Sequence, residues 1–383
     1  MVLDSNFNGS RLREARRYRG LSITDLAREL GVTKQMVSKY ENGKATPPLE
    51  STFTLMKTLG FPREFFFSKD LFEYKDEGTY FRSQLTAVQG EKEVVTYDKK
   101  YAAIIRDYFE AFISFPELIE NHNISDLDDV ESITLDLRKN WGLEDTPIVD
   151  IMRLMEEKGF VISVVKNEYN KVDASGGSAN INGREYYIVM IEGDDYSFYR
   201  QQFSLAHELG HWILDKGNND PEELEKDEYK EMEQRANNFA SSFLLPKDAF
   251  IKSVQGLDLA KIESYLGLKR IWFVSIGTLI MRAKALKLIS SDEFVKLQKQ
   301  INYRKWRKNE PYDDTKQAMR PVALKQSLDL LVDNDIINRE AISSEIFRKY
   351  GVFLSNEIIE KICGLEKGYL VNSASVGVKM DLK

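Results

Sequence analysis

Phe203-Ser204-Leu205-Ala206-His207-Glu208-Leu209-Gly210-His211-Trp212 holds two of the three histidines in the chain. They stand four residues apart with a glutamate after the first, the pattern HExxH. On a helix, positions i and i+4 lie on one face, so both imidazoles can reach one metal ion. Glu208 then projects beside that face, where a carboxylate can take a proton from a water activated by the metal. The competing reading is a surface helix with two incidental histidines. The flanks oppose it. Phe203, Leu205, Ala206, Leu209, Trp212, Ile213 and Leu214 make the helix largely apolar, and two unpaired imidazoles buried there would be costly.

A catalytic zinc site needs a third protein ligand and an open position. His122, in the polar run Asn121-His122-Asn123, is far upstream. A downstream carboxylate suits the site better. In the helical stretch from Glu231 to Ala240, Glu233, Ala236, Asn237 and Ala240 share one face, and the small alanines would let it lie close against the HExxH helix. Glu231 sits two residues away on a different face. A solvated surface acid is the ordinary fate of a glutamate, and the residues alone leave the choice open.

The 383 residues are enough for two or three domains, and 42% hydrophobic with 30% charged residues is ordinary for a globular protein. Apolar runs are broken by charge well before membrane-spanning length, and Met1 to Ser10 lacks the basic start and apolar stretch of a secretory signal. The single cysteine, Cys363, excludes an internal disulfide framework and a cysteine-based zinc site. These features point to a cytoplasmic protein without a membrane partner. Residues 1–60 carry ten Lys/Arg against six Asp/Glu, about +4, in a chain of net charge −7, so the remainder is about −11. A small basic head on an acidic body suits a DNA-binding domain joined to something else.

Within that head, Ser10 to Tyr18 is a basic amphipathic stretch. Ser22-Ile23-Thr24-Asp25 opens a helix that Gly31 stops, and Thr33 caps a short helix from Lys34 to Tyr40. Pro48 starts a further helix through Leu59. Helix, tight glycine turn, helix is helix-turn-helix spacing. Residues 61–130 read as a connector with at least one long helix, with Phe65-Phe66-Phe67 anchoring the end of the head. Phe160 to Val165 and Tyr186 to Ile191 read as strands beside the HExxH helix, an α+β arrangement. Asp173 to Asn182 is small and polar. The stretch 250–383 reads as mostly helical.

Two resemblances follow from these residues. Arg200-x-x-Phe203-Ser204-Leu205-Ala206-His207-Glu208-Leu209-Gly210-His211, then Glu233-x-x-Ala236-Asn237-x-Phe239-Ala240, then Leu244-Leu245-Pro246, resemble the ImmA/IrrE family of metallo-endopeptidases. The resemblance implies zinc (manganese being possible) on His207, His211 and Glu233, Glu208 as general base, and a protein substrate. Arg235 departs from the Gln or Glu that relatives often carry. Leu26-Ala27-x-x-Leu30-Gly31-Val32-Thr33-x-x-x-Val37-Ser38-x-Tyr40-Glu41-Asn42-Gly43 resembles the Cro/CI-type (XRE) helix-turn-helix family. That implies a recognition helix presenting Lys34, Gln35, Ser38 and Lys39 to base edges, Gln suiting adenine and Lys guanine. Arg16, Arg17 and Lys44 are candidate phosphate contacts, and such heads usually bind operator DNA as homodimers.

The expected fold is therefore mainly α with an α+β peptidase core. It comprises a helix-turn-helix domain over 1–68, a helical connector over 69–130, a zincin-like domain with a small sheet over 131–250, and a helical region over 251–383. The expected function is a DNA-binding regulator with a zinc endopeptidase that cleaves a repressor or other regulatory protein. Self-cleavage within Glu73 to Gly90 is a variant of this expectation. The alternatives are a repressor or antitoxin-like protein whose peptidase-like domain only senses or dimerises, and a peptidase whose helix-turn-helix serves protein contact.

Overall fold

The computed structural model describes residues 6–76, 80–81, 89–118, 129–165, 174–192, 197–215 and 224–371. Four helices open the chain, each set by local start and stop signals. The Asn8 side chain caps α1 (Gly9–Tyr18) by accepting from the Ser10 N–H. α2 (Ile23–Leu30) begins with a capping box between Ser22 and Asp25 and ends at Gly31, whose φ of 63° is left-handed. Thr33 caps α3 (Lys34–Glu41), and Pro48 precedes α4 (Leu49–Leu59). Leu12, Leu26, Val37, Leu55 and Leu59 close the core of this bundle. A 3-10 turn, Arg63–Phe67, seals it with three buried phenylalanines.

Next come strands β1 (Tyr74–Asp76) and β2 (Tyr80–Phe81), helices α5 (Gln89–Glu110), α6 (Val130–Asn140) and α7 (Ile151–Glu157), and strands β3 (Val161–Val165), β4 (Ala174–Ile181) and β5 (Arg184–Glu192). α8 (Phe198–Asp215) carries HExxH and α9 (Lys226–Leu244) carries Glu233. The remaining helices are α10 (Lys247–Ser253), α11 (Ser264–Trp272), α12 (Ile276–Ala285), α13 (Ser291–Tyr303), α14 (Ala323–Asp333), α15 (Ile342–Tyr350) and α16 (Asn356–Ile362). The mainly helical fold with a small mixed sheet is the expected class. Among the described residues no helix is long and apolar enough to cross a membrane.

The strand order is β1-β4-β5-β3, with β2 on the same edge of β4 as β1. β3 and β5 run parallel and the other pairings are antiparallel. Successive side chains point to opposite faces, and the two faces feed two different cores. Phe160, Ile162, Val164, Tyr187, Val189 and Ile191 join the core that holds α8 and the helices up to α13. Val161, Ala179, Ile181, Tyr186, Ile188 and Met190 join the core that holds α5, the N-terminal bundle and α14 to α16. The sheet is a wall shared by both.

Two features of the sheet depart from the sequence expectation. Asp173 to Asn182, read only as small and polar, supplies β4, the central strand. Ile181 is its only β-branched residue, and ladders on both of its edges hold it extended instead. The polar stretch Glu73 to Gly90 supplies β1 and β2; its residues 77–79 and 82–88 lie outside the described set.

α8 and α9 cross where Gly210 faces Ala236. A Cβ on Gly210 would lie 3.1 Å from the Phe239 ring and 3.3 Å from both the Cα and the carbonyl oxygen of Ala236. Gly210→Leu therefore separates the two helices. We expect a loss of about 1–3 kcal/mol of stability, read as a lower Tm, together with weaker metal binding. An unaltered Tm and unaltered metal affinity would contradict this crossing.

Candidate metal centre and DNA-facing helix

His207 and His211 lie on one face of α8, fully buried. Their Nε2 atoms are 3.1 Å apart. Glu233 reaches over from α9, with Oε2 3.5 Å from His207 Nε2 and Oε1 3.5 Å from His211 Nε2. All three ligand atoms fall within 4.8 Å of one another. Tetrahedral zinc with ligand bonds near 2.05 Å places its donors about 3.3 Å apart, so the spacing and the His-His-carboxylate set fit such an ion. Glu231 is exposed and outside this group. His122 lies outside the described residues.

Glu208 is fully buried beside the ligands. Its carboxylate lies against β4 at Gly176: a Cβ there would be 2.8 Å from Glu208 Oε2 and 2.7 Å from the Tyr187 hydroxyl. A side chain at this position would push both the Tyr187 hydroxyl and the Glu208 carboxylate aside. The Tyr187 hydroxyl donates to the Glu208 carbonyl oxygen at 3.3 Å. Of the neighbouring tyrosines, Tyr186 bonds Asp107 and Glu110 on the opposite face, Tyr199 pairs with Thr315, and Tyr196 lies outside the described residues.

Sequence reasoning missed two side chains that hold the ligands. Asp215, one turn beyond His211, lies 2.8 Å from its Nδ1, which turns Nε2 toward Glu233 and the metal position. The Tyr229 hydroxyl donates to Glu233 Oε1 at 3.0 Å. Both stand four residues from a ligand, a spacing that places them beside it on the same helix face. Arg235, the departure from the family pattern, puts NH1 3.8 Å from Asp215 Oδ1 and so counters that buried carboxylate.

The electrostatics follow from this packing. Burial alone would lower the pKa of His211. Hydrogen bonds with Asp215 and Glu233, and the charges of Glu208 and Glu233, outweigh it and raise the group to about 9. Burial alone would raise Glu233; its contacts with His207 and His211 hold it at about 2 instead.

In the head, Lys34, Gln35 and Lys39 are exposed on α3 and Ser38 is half-buried, with Lys44 exposed in the turn beyond. Arg16 is a correction. It is buried at 1% exposure, its Nε and NH2 donate to Glu41 at 2.5 and 3.0 Å, and its NH1 donates to the Leu21 carbonyl. A guanidinium committed in this way fixes α1 to α3 and is withdrawn from any phosphate. Arg17 is partly exposed and pairs with Glu93 of α5 at 2.8 Å.

A metal ligand must be deprotonated. His211 holds its proton up to about pH 9, so metal binding displaces that proton below this pH. Apparent affinity is expected to fall about tenfold for each unit below pH 9, with proton release visible by calorimetry in buffers of different ionisation enthalpy. Asp215→Asn is expected to weaken metal binding about 10–100-fold. A flat affinity between pH 6 and 9 would contradict the assignment.

Comparison with known families agrees with both halves of this geometry. Residues 161–284 match the IrrE N-terminal-like domain, peptidase M78, and residues 12–66 match the helix-turn-helix family. Over 59 residues the chain is 37% identical to a protein of Pyrobaculum aerophilum named as an HTH-type transcriptional regulatory protein. That match covers 15% of this chain and 24% of the relative, so it spans about a quarter of the relative's length. Over these two stretches the chain is thus similar to the XRE-type helix-turn-helix family and to the IrrE/ImmA-like peptidase M78 family.

Proposed function

We propose that this chain is a DNA-binding transcriptional regulator with a metal-dependent endopeptidase domain that cleaves a repressor or another regulatory protein. The observation that carries the reading is the cluster of His207, His211 and Glu233, with the Glu208 carboxylate held beside it over Gly176. Zinc suits the donor set, and manganese can take its place. When bound, the metal supplies Lewis acidity to the scissile carbonyl and acidifies water. Glu208 takes a proton from the attacking water and passes it to the leaving amine. Its burial strengthens both transfers by excluding bulk solvent. Asp215 and Tyr229 orient His211 and Glu233, so the ligand set is built before metal or substrate arrives.

The head supplies the second half of the function. Lys34, Gln35 and Lys39 on α3 are placed to read base edges of an operator, with Ser38 beside them. Lys44 and the partly exposed Arg17 remain the phosphate-contact candidates. Pairing of two such heads in a homodimer would set half-site spacing.

Two sets of variants test this reading. Glu208→Gln should keep the metal and lose cleavage of a regulatory substrate about 10²–10⁴-fold, while Glu233→Ala should lose the metal and Glu231→Ala should keep it. Retained cleavage by Glu208→Gln, or equal metal content in the Glu233 variant, would refute the site. In the head, Gln35→Ala should relax operator preference at one position without changing Tm. Arg16→Ala leaves the buried Glu41 with only its longer contact to Arg13, at 3.6 Å, and should destabilise the head by about 3 kcal/mol. The reverse pattern, with Tm kept and DNA affinity lost uniformly in the Arg16 variant, would restore Arg16 as a phosphate contact.

A further inference from the structure

We infer that the chain fills its own substrate edge: Tyr80–Phe81 occupies, in cis, the border of β4 on which an incoming peptide backbone would pair. This inference rests on the peptidase reading above. The inner border of β4 is bonded to β5 along residues 174–181. Its outer border carries β1 opposite Ala179, Asn180 and Ile181, and β2 opposite Gly176 and Ser175. Tyr80 is thus the direct partner of Gly176, the residue whose missing side chain leaves room for the Glu208 carboxylate. Strands in a sheet lie about 4.8 Å apart, so any backbone added at Gly176 runs one strand spacing from the glycine against which the candidate general base, Glu208, packs. An extended peptide recognised by strand addition gains main-chain hydrogen bonds with little demand on its sequence. That border is the natural place for a polypeptide to lie beside Glu208, and a segment of this chain already lies on it.

The occupant is built to be displaced. β2 is two residues long and β1 three, and pairings this short are weak. The register also shifts between them. From Asp76 to Tyr80 the chain advances four positions, while from Ala179 to Gly176 β4 advances three, so the ladder is interrupted by a one-residue mismatch. A tethered occupant of this kind competes at an effective concentration in the millimolar range. Weak free peptides are excluded, and only a substrate with further contacts displaces it. The tether also leads to the head. Asp70, six residues before Asp76, pairs with the buried Arg11 of α1, and the Leu71 N–H donates to the Tyr350 carbonyl oxygen at 2.9 Å. The same short stretch therefore joins the DNA-facing bundle to the strand that guards the site.

The test uses the full-length, metal-free protein, so peptide binding is read without turnover. A fluorescent peptide of residues 74–86 is titrated into wild type and into Tyr80→Pro/Phe81→Pro by anisotropy. Of two successive strand residues one directs its N–H to the neighbour, so the double proline removes the β2 hydrogen bond whichever residue makes it. The variant is expected to bind the peptide at least tenfold more tightly than wild type. The amides of Gly176, Gly177 and Ser178 are expected to exchange faster in the variant and to be protected again by the peptide. Tyr80→Gly/Phe81→Gly, which weakens the strand while keeping its N–H groups, guards against misfolding and should fall between the two. Equal peptide affinity in all three proteins, or β4 exchange unchanged by the variants, would overturn the inference. Because the assay contains no metal, either result leaves the peptidase reading to stand or fall on Glu208→Gln.

Discussion

The candidate metal cluster depends on how closely two helices approach at Gly210 and Ala236. HExxH on α8 supplies two imidazoles and a candidate base, but two candidate ligands cannot define a metal site. The third arrives because α9 crosses α8 at a point where α8 itself carries no side chain. The short contact brings Glu233 to within 3.5 Å of both Nε2 atoms. It also commits the site to buried electrostatics. Two imidazoles and a carboxylate out of water are tolerable only as a mutually compensating group. The raised His211 and lowered Glu233 are the proton-bound form of that compensation, and a divalent cation is the alternative occupant of the same place.

What the sequence disclosed is what lies within a single helical turn. HExxH, the capping box at Ser22 and Asp25, the glycine stop at Gly31 and the face shared by Glu233, Ala236 and Asn237 are all short-range patterns. Asp215 and Tyr229 had the same i,i+4 legibility. They went unread because carboxylates and phenols one turn from a ligand are common on helices, and only contact shows that they orient it. Arg16 failed in the opposite direction. It sits in a basic amphipathic stretch, and its partner Glu41 lies 25 residues away. Nothing local shows that this charge points inward. β4 is the clearest case of tertiary context overriding propensity: Ser-Gly-Gly-Ser is extended because its neighbours require a thin strand against Glu208 and Tyr187.

The shared sheet gives the molecule its organisation. Strict alternation along β3 and β5 sends one set of side chains to the core that holds α8 and the other to the core that contains α5, the N-terminal bundle and α14 to α16. The chain therefore returns after the α8 core, and α14 to α16 complete the packing around α5 and the DNA-facing head. Ser163 on β3 donates to the Ile362 carbonyl oxygen at 2.8 Å, which ties the end of α16 to the far side of the wall that carries the site.

The contacts that hold the head are charged and buried, which decides how it can move. Glu14 on α1 accepts from Arg11 at 2.7 Å and from the Tyr101 hydroxyl of α5 at 2.7 Å, and Lys361 of α16 donates to the fully buried Asp98 of α5 at 2.8 Å. Buried polar pairs have strict geometry and cost several kcal/mol to separate, whereas an apolar face can slide. The bundle and α5 are thus joined by buried polar pairs as well as by one shared apolar core. α5 in turn holds the guarded border of β4, since Lys99 pairs with Asp76 of β1 and its Nζ lies 3.5 Å from the Ser178 carbonyl oxygen. Helix α5 therefore forms part of both contacts: Tyr101 and Glu93 face α1, and Lys99 faces β1 and β4.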